Sequence, residues 1–452
     1  MEAGLRRRLK LPFLRHPAQV VAFAFGVAVA IGTALLWLPI ARRGPGGAAF
    51  VDALFTAVSA LCVTGHVVVD TREHWSGFGL VVILALAQVG GFGIMTSASL
   101  LGVFMSRRLG LRTRMWTATE SRGVEMGDVR RVLLGVVKVS LLVELVTAVM
   151  LTARFLLAYD RSFASALWEG VFLGVSSFNN AGFALRSDSL TAFVADPWVC
   201  LPVLAATILG GLGFPVLLEL RRQFRRPRQW SLHTKLTLTT TSVLLVLGWL
   251  LITANEWGNQ ATLGPLSWDT KLLAGFFQAT ATRSSGYNTV DITEMTGASW
   301  MVMSVLMFIG GGSASTAGGI KVTTFALLLV VLVAEFRGEQ TVTVFARRIP
   351  ERVYRQALTV ALVSVAVVVG STLLLVEMTG APMDMALFEV VSSFGTVGLS
   401  TGLLADLPDS GQILLAALMF LGRLGPITLG AALALRERKR LYEYPEGRPI
   451  IG

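Results

Sequence analysis

Charge is scarce in this chain. Of its 452 residues, 15% are charged, against about 25% in a soluble globular domain. With 54% hydrophobic residues, a soluble globular body and a disordered chain are both excluded. Cysteine is nearly absent, with Cys62 and Cys200 the only two. Two cannot build a disulfide framework, and both sit in or beside apolar stretches, where free buried thiols are expected. Histidine is scarce as well, and none follows His233. The stretch Gly312-Ser313-Ala314 therefore has no downstream histidine with which to form a Ser–His dyad. No other catalytic constellation is found, so an enzyme is not expected. There is no strand followed by Gly-x-Gly-x-x-Gly and no Walker loop; no nucleotide is expected to be bound by this chain. Alternating ten-residue strands of the membrane-barrel kind are missing too, which leaves helices.

What charge there is has a pattern. The net charge is +11, and 28 of the 39 lysines and arginines lie in five short segments, 1–18, 106–131, 221–235, 335–356 and 436–448. Carboxylates favour the intervening segments, which hold 18 of the 28. Basic clusters at regular spacing are the positive-inside signal of a multi-pass protein, not a nucleic-acid surface. The five segments, and with them both termini, are placed on the cytoplasmic side of the plasma membrane. An acidic opposite face concentrates cations. No convincing cleavage site follows Arg6-Arg7-Arg8, so the first apolar run is read as a retained helix.

Eight runs are long and apolar enough to span, roughly 19–40, 78–104, 132–157, 198–220, 236–254, 299–334, 357–378 and 411–435. Between the members of each pair lies a shorter apolar segment, at 52–62, 168–178, 271–282 and 385–394. A helix of ~11 residues rises ~16 Å, about half the hydrocarbon core. Gly-rich polar stretches follow each one. Non-helical backbone survives at membrane depth only where protein or water covers it, so a re-entrant loop is expected four times.

The loops repeat. Val58-Ser-Ala-Leu-Cys-Val-Thr-Gly65-His, Val175-Ser-Ser-Phe-Asn-Asn-Ala-Gly182-Phe, Ala279-Thr-Ala-Thr-Arg-Ser-Ser-Gly286-Tyr and Val391-Ser-Ser-Phe-Gly-Thr-Val-Gly398-Leu align without gaps. Each has Ser or Thr six residues before its glycine (Ser59, Ser176, Thr280, Ser392), and the glycines are 117, 104 and 112 residues apart. A second motif follows 24 to 28 residues later: Gly90-Gly-Phe-Gly93, Gly210-Gly-Leu-Gly213, Gly310-Gly-Gly-Ser313 and Gly422-Arg-Leu-Gly425. The expected fold is an all-α polytopic membrane protein of four tandem helix–pore loop–helix units, 1–105, 106–220, 221–334 and 335–452, in pseudo-fourfold arrangement around a central ion pore.

A dehydrated cation needs oxygens in place of its water, and rings of backbone carbonyls supply them. Glycine permits the left-handed or close-approach backbone that aims carbonyls inward, and each half-helix turns its negative C-terminal end toward the ion. Thr396-Val397-Gly398-Leu399 is close to the TVGYG loop of potassium channels. The expected filter comprises Val63, Thr64, Gly65, Asn180, Ala181, Gly182, Ser284, Ser285, Gly286, Thr396, Val397 and Gly398. No other metal site is expected.

On these motifs the chain resembles the Trk/Ktr/HKT superfamily of potassium transporters, and in particular its Ktr-type membrane subunits. The motifs are Val63-Thr64-Gly65, Asn179-Asn180-Ala181-Gly182-Phe183, Thr282-Arg283-Ser284-Ser285-Gly286-Tyr287 and Phe394-Gly395-Thr396-Val397-Gly398. The resemblance covers nearly the whole chain, with eight spans and not the ten of Trk-type relatives. It implies potassium as the substrate. A serine in place of the first-repeat glycine accompanies sodium-permeable behaviour in that family, and here Gly65 is present. Sodium as an activator is left open. The resemblance also implies a homodimer in the lipid membrane, docked on a cytoplasmic ring of nucleotide-binding regulatory subunits. The basic loops 106–131, 221–235 and 335–356 are where that docking, or attraction to anionic lipid, is expected. The apolar end, residues 447–452, is assigned to a dimer interface.

The sixth run, 299–334, is too long for one span. It is interrupted by Gly310-Gly311-Gly312-Ser313-Ala314-Ser315-Thr316-Ala317-Gly318-Gly319 and then Lys321. Each glycine costs ~1 kcal/mol relative to alanine in a helix, so this stretch is expected to be irregular. The resemblance gives it the role of an intramembrane loop that obstructs the pore, with Arg423 beside it. A mid-membrane arginine is a functional candidate in its own right. A glycine packing seam and an arginine that only holds the loop are the alternatives. His66 is expected at the outer mouth and Glu144 and Lys138 near an interface. Trp75, Trp168, Trp198, Trp257, Trp268 and Trp300 are expected in an interfacial belt. A secondary cation transporter coupled to sodium or protons is the rival function. It calls for inverted repeats, whereas these units, two spans each, all run in one direction.

Overall fold

The computed structural model describes residues 17–108 and 126–435. Of the five basic segments, 1–18 and 106–131 lie mostly, and 436–448 wholly, outside the described residues, as do the outermost ends of the chain and the segment 447–452. Among the described residues fifteen α-helices follow in order: α1 (Pro17–Trp37), α2 (Phe50–Leu61), α3 (Thr71–His74), α4 (Gly77–Arg108), α5 (Met126–Ala158), α6 (Phe163–Asn179), α7 (Pro197–Leu212), α8 (Phe214–Gln223), α9 (Leu232–Glu256), α10 (Trp268–Ala281), α11 (Gly297–Phe308), α12 (Val322–Phe336), α13 (Glu351–Thr379), α14 (Met383–Phe394) and α15 (Asp409–Leu435). In each of the four repeats a long helix is followed by a short one that packs against it; in the first, second and fourth repeats the short helix also packs against the apolar helix that comes after it, α4, α7 and α15.

Among the described residues, five helices are long and apolar enough to cross a membrane, and the bent pair α7–α8 makes a sixth. Four of the five open a repeat and keep a lipid-type exterior: only 28%, 28%, 39% and 33% of the apolar windows of α1, α5, α9 and α13 is buried, against 56% for α4. Leu141, Leu142, Leu145 and Val149 on α5 and Leu362, Val369 and Leu373 on α13 face outward. A soluble protein hides such stripes; here they meet hydrocarbon.

Two expected spans are broken. The run 299–334 is two helices, α11 and α12, separated by residues 309–321, as its glycines required. The run 198–220 is a departure: α7 and α8 meet at 102°. The bend falls at Gly213, whose φ of +92° only glycine adopts easily; a Cβ there would stand 2.5 Å from the carbonyl oxygen of Ser313. The all-helix expectation also needs one correction. Thr343–Val344 and Arg347–Arg348 form a two-stranded antiparallel hairpin inside the basic segment 335–356. Phe345 and Ala346 at its tip both have positive φ, 48° and 60°, as a two-residue primed turn demands.

The two cysteines are free and buried, as expected. The tryptophans divide. Trp198, Trp257 and Trp268 are exposed, but Trp75 and Trp300 are buried in the core.

Candidate functional site

The four short helices end at the glycine motifs, and local hydrogen bonding explains how. In three of them the residue before the glycine donates back to the serine carbonyl five residues earlier: Thr64 to Ser59 at 2.8 Å, Ala181 to Ser176 at 2.7 Å and Val397 to Ser392 at 2.8 Å. The preceding residue donates to a carbonyl three back, Val63 to Ala60, Asn180 to Ser177 and Thr396 to Ser393. This pair of bonds is the Schellman termination, which needs a left-handed residue. Val63, Asn180 and Thr396 fill that place at φ 57°, 60° and 48°. For the β-branched Val63 and Thr396 this costs about 1–2 kcal/mol each. The third loop departs: Ser284 has φ 155°, and Ser285 donates to Ala281 at 2.9 Å.

The repeated hydroxyls have a use as well. Ser59 Oγ donates to the His66 carbonyl at 2.8 Å and Ser176 Oγ to the Phe183 carbonyl at 3.0 Å, both just past the glycine. Ser392 Oγ accepts from the Gly398 N–H at 3.2 Å. Thr280 instead donates within its own helix, to Phe276.

Each loop then presents its glycine with positive φ: Gly65 at +85°, Gly182 at +70°, Gly286 at +69° and Gly398 at +93°. The four stand together. A Cβ on Gly65 would strike the Ala181 carbonyl oxygen, one on Gly182 that of Ser285, one on Gly286 that of Val397, and one on Gly398 that of Thr64. The contacts run from loop to loop and close on themselves. Four peptide oxygens, those of Thr64, Ala181, Ser285 and Val397, thus lie around one centre, and all twelve residues singled out by sequence belong to the loops that meet there. The same four glycines line a depression of about 190 Å³ with Asp70, Arg186, Asn288, Asp291 and Ser400. This depression opens on the side of the loops that follow the short helices, called the outer side below. At its rim, partial burial pushes the Asp188 carboxyl up, but hydrogen bonds from Arg186 and Thr191 outweigh that and hold it below its ordinary value.

The second glycine motif is a packing device. A Cβ on Gly90, Gly210 or Gly422 would collide with the carbonyl of Leu61, Phe178 or Phe394, the last turn of the short helix in the same repeat. Only glycine lets the inner helix come so close. In the third repeat Gly310 meets Gly318 of its own loop instead.

Residues 310–319 lie on the opposite side of the glycine ring. The loop is tied to the α7 end by Gly312 N–H to Gly211 (2.8 Å), Thr316 N–H to Gly210 (3.2 Å) and the Ala314 carbonyl to Phe214 N–H (3.2 Å). It touches the ring: a Cβ on Gly318 would strike Thr396 Oγ1, and the Asn180 amide oxygen accepts from Thr316 Oγ1 at 3.1 Å once its amide is turned to satisfy its neighbours. Three buried cations hold its carbonyls. Arg423 donates to Thr316, Lys321 to Ala317, and Arg283 to Gly310 at 3.1 Å. Among the described residues none of the three has a carboxylate partner. The resemblance places Arg423 beside this loop, and the structure does the same. Arg283 enters the sequence analysis only within a loop motif, because nothing in the spacing reveals that its side chain points away from the ring.

Two positions differ from expectation. His66 is not at the outer mouth but fully buried, because its chain turns inward behind the ring. Glu144 is no interface residue: it is buried and accepts from Gln88 at 3.0 Å and from Asn179 at 3.1 Å. Lys138 is exposed.

Fold and site define a polytopic helical membrane protein with peptide oxygens gathered at its centre. The TrkH cation transport protein family model matches residues 10–440, and the chain belongs to that family. It is 39% identical over 440 residues to a Ktr system potassium uptake protein B of Bacillus subtilis (strain 168), covering 96% of this chain and 97% of the relative. It is 33% identical over 458 residues to the potassium/sodium uptake protein NtpJ of Enterococcus hirae, covering 100% and 99%. A crystal structure of the potassium transporter TrkH from Vibrio parahaemolyticus has the same fold. Its TM-score is 0.74 at 20% identity, covering 94% of this chain and 86% of that one.

Proposed function

We propose that the chain carries potassium into the cell across the bacterial cytoplasmic membrane, through a pore whose selectivity filter is the ring of loop carbonyls. Four helix–loop–helix units, 1–105, 106–220, 221–334 and 335–452, surround the pore in pseudo-fourfold fashion. The carrying observation is the closed cycle of contacts among Gly65, Gly182, Gly286 and Gly398. Peptide oxygens there replace the water of a monovalent cation. Potassium uptake is supported by the names of the Ktr relatives; the NtpJ name adds sodium as a second cation to be tested, as ion or activator.

Residues 310–319 with Arg423 act as the gate. The loop sits under the ring, and the three cations that hold its carbonyls, with no carboxylate partner among the described residues, oppose a passing cation until they move. No nucleotide binds to this chain. Control comes from a cytoplasmic nucleotide-binding partner, docked on the basic loops of a homodimer whose termini face the cytoplasm; the Ktr system relatives support such a partner.

The test is flux of purified protein in liposomes, with potassium, rubidium and sodium compared, alongside rescue of potassium-uptake-deficient cells. Uptake of potassium and rubidium in preference to sodium is expected. Well-folded protein that moves neither ion, or needs a proton or sodium gradient to do so, overturns the pore.

A further inference from the structure

Two side chains that the pore does not use face each other behind the outer end of the ring. His66, directly after Gly65, is fully buried, and neither ring nitrogen has a hydrogen-bond partner among the described residues. Glu389, on α14, is also fully buried. Its Oε1 accepts from Ser400 Oγ at 2.6 Å, from Thr401 N–H at 2.8 Å and from Thr401 Oγ1 at 3.1 Å, while Oε2 accepts nothing. His66 Nδ1 lies 3.9 Å from that free Oε2. Leaving a buried polar group unpaired is costly, so an unpaired acceptor and an unpaired imidazole sealed in together, with no third polar partner among the described residues, are complementary.

The repeat itself carries the same device on the opposite seam. Tyr287 follows Gly286 as His66 follows Gly65, and its hydroxyl reaches across to the Phe183 carbonyl of the second loop at 3.3 Å. Tyr287 joins loop three to loop two; His66 faces loop four from loop one. The acidic residue is peculiar to the fourth unit. At the offset that Glu389 keeps from Gly398, the other units have Thr56, Leu173 and Phe277.

We propose that His66 and Glu389 form a buried tie across the seam between the first and fourth loops, and that this tie sets the carbonyl spacing that prefers potassium to sodium. Glu389 is a positioning residue. It acts through Ser400, Thr401 and His66 and touches no ion. The proposal rests on the ring being a potassium filter.

The test compares full-length wild type, Glu389→Ala, His66→Leu, the double variant and Glu389→Gln in liposomes, reading the rubidium-to-sodium flux ratio. Each truncation is expected to lower the ratio about fivefold or more, and the double variant to be no worse than either single one, since coupled sites are not additive. Glu389→Gln keeps an acceptor for Ser400 and Thr401 and offers an amide N–H to His66, so it is expected to retain most of the preference. A merely structural role would lower both fluxes together and leave the ratio unmoved. Should Glu389→Ala fail to fold, His66→Leu decides alone. An unchanged ratio in a folded truncation, or multiplying effects in the double variant, overturns the tie. A wild type that does not prefer rubidium to sodium overturns the filter reading and the tie with it. A selective wild type with unchanged variants overturns the tie alone.

Discussion

The guanidinium of Arg423, on α15, donates to the carbonyl of Thr316, in the glycine loop beneath the ring, although the two lie 107 residues apart. Its other nitrogen, Nη2, reaches the Gly90 carbonyl at 3.4 Å, on the inner helix of the first repeat. One side chain thus joins three of the four repeats under the ring. Arg423→Gln should loosen the loop and raise potassium flux about tenfold, a shift of ~1.4 kcal/mol in the gating equilibrium. Rubidium uptake into liposomes measures it. Unchanged flux both in this variant and on trimming residues 312–318 would remove the gating role.

At the ring, Gly65→Ser places a side chain against the Ala181 carbonyl and the Gly182 Cα at a φ of +85°. Something must widen. Potassium over sodium preference should drop by about tenfold or more, ~1.4 kcal/mol, with sodium flux rising. Paired flux assays read this, and a variant as selective as wild type would contradict the carbonyl ring as the filter.

Gly213→Ala tests the bend between α7 and α8. The left-handed φ costs about 1–2 kcal/mol for a residue with a Cβ, and the new methyl meets the Ser313 carbonyl. A melting temperature several degrees lower is expected for the detergent-solubilised protein. Gly425→Ala, with open space around its Cβ position, should melt as wild type does.

Asn179→Leu leaves Glu144 without one of its two donors, the fully buried one, and should cost about 1–3 kcal/mol in stability. Adding Glu144→Leu should recover part of the loss, because no carboxylate then remains buried and underpaired. Melting curves of the single and double variants decide; additive losses would mean that the two side chains do not act together.

Asp188 supplies the pH dependence. Partial burial pushes its carboxyl up, but the hydrogen bonds from Arg186 and Thr191 hold it below the ordinary value of 3.8. A depressed value contributes stability that is complete above the unfolded value and is lost as pH falls through the folded one. Asp188→Asn should therefore differ from wild type above about pH 5 and converge with it well below 3.8. The side chain is 40% exposed, so the difference should not exceed about 0.5–1 kcal/mol. Melting temperature against pH measures it.

Much of this was legible in the chain itself. Runs of apolar residues must cross or enter a bilayer because an unpaired peptide group cannot be left in hydrocarbon, and so the sequence determined the long helices, the four short ones and the break at residues 309–321. A glycine recurring at one offset marks where backbone geometry or close approach forbids a side chain, and both glycine motifs proved to be such places. What the sequence could not determine is where side chains point after the chain doubles back. The 102° bend at Gly213, the burial of His66 against Glu389, the Glu144–Asn179 contact and the grip of Arg283 on Gly310 all join residues far apart along the chain. Periodicity reports only on neighbours within a turn or two. Which distant groups meet is settled when the four repeats pack together and bring buried polar groups within reach of one another.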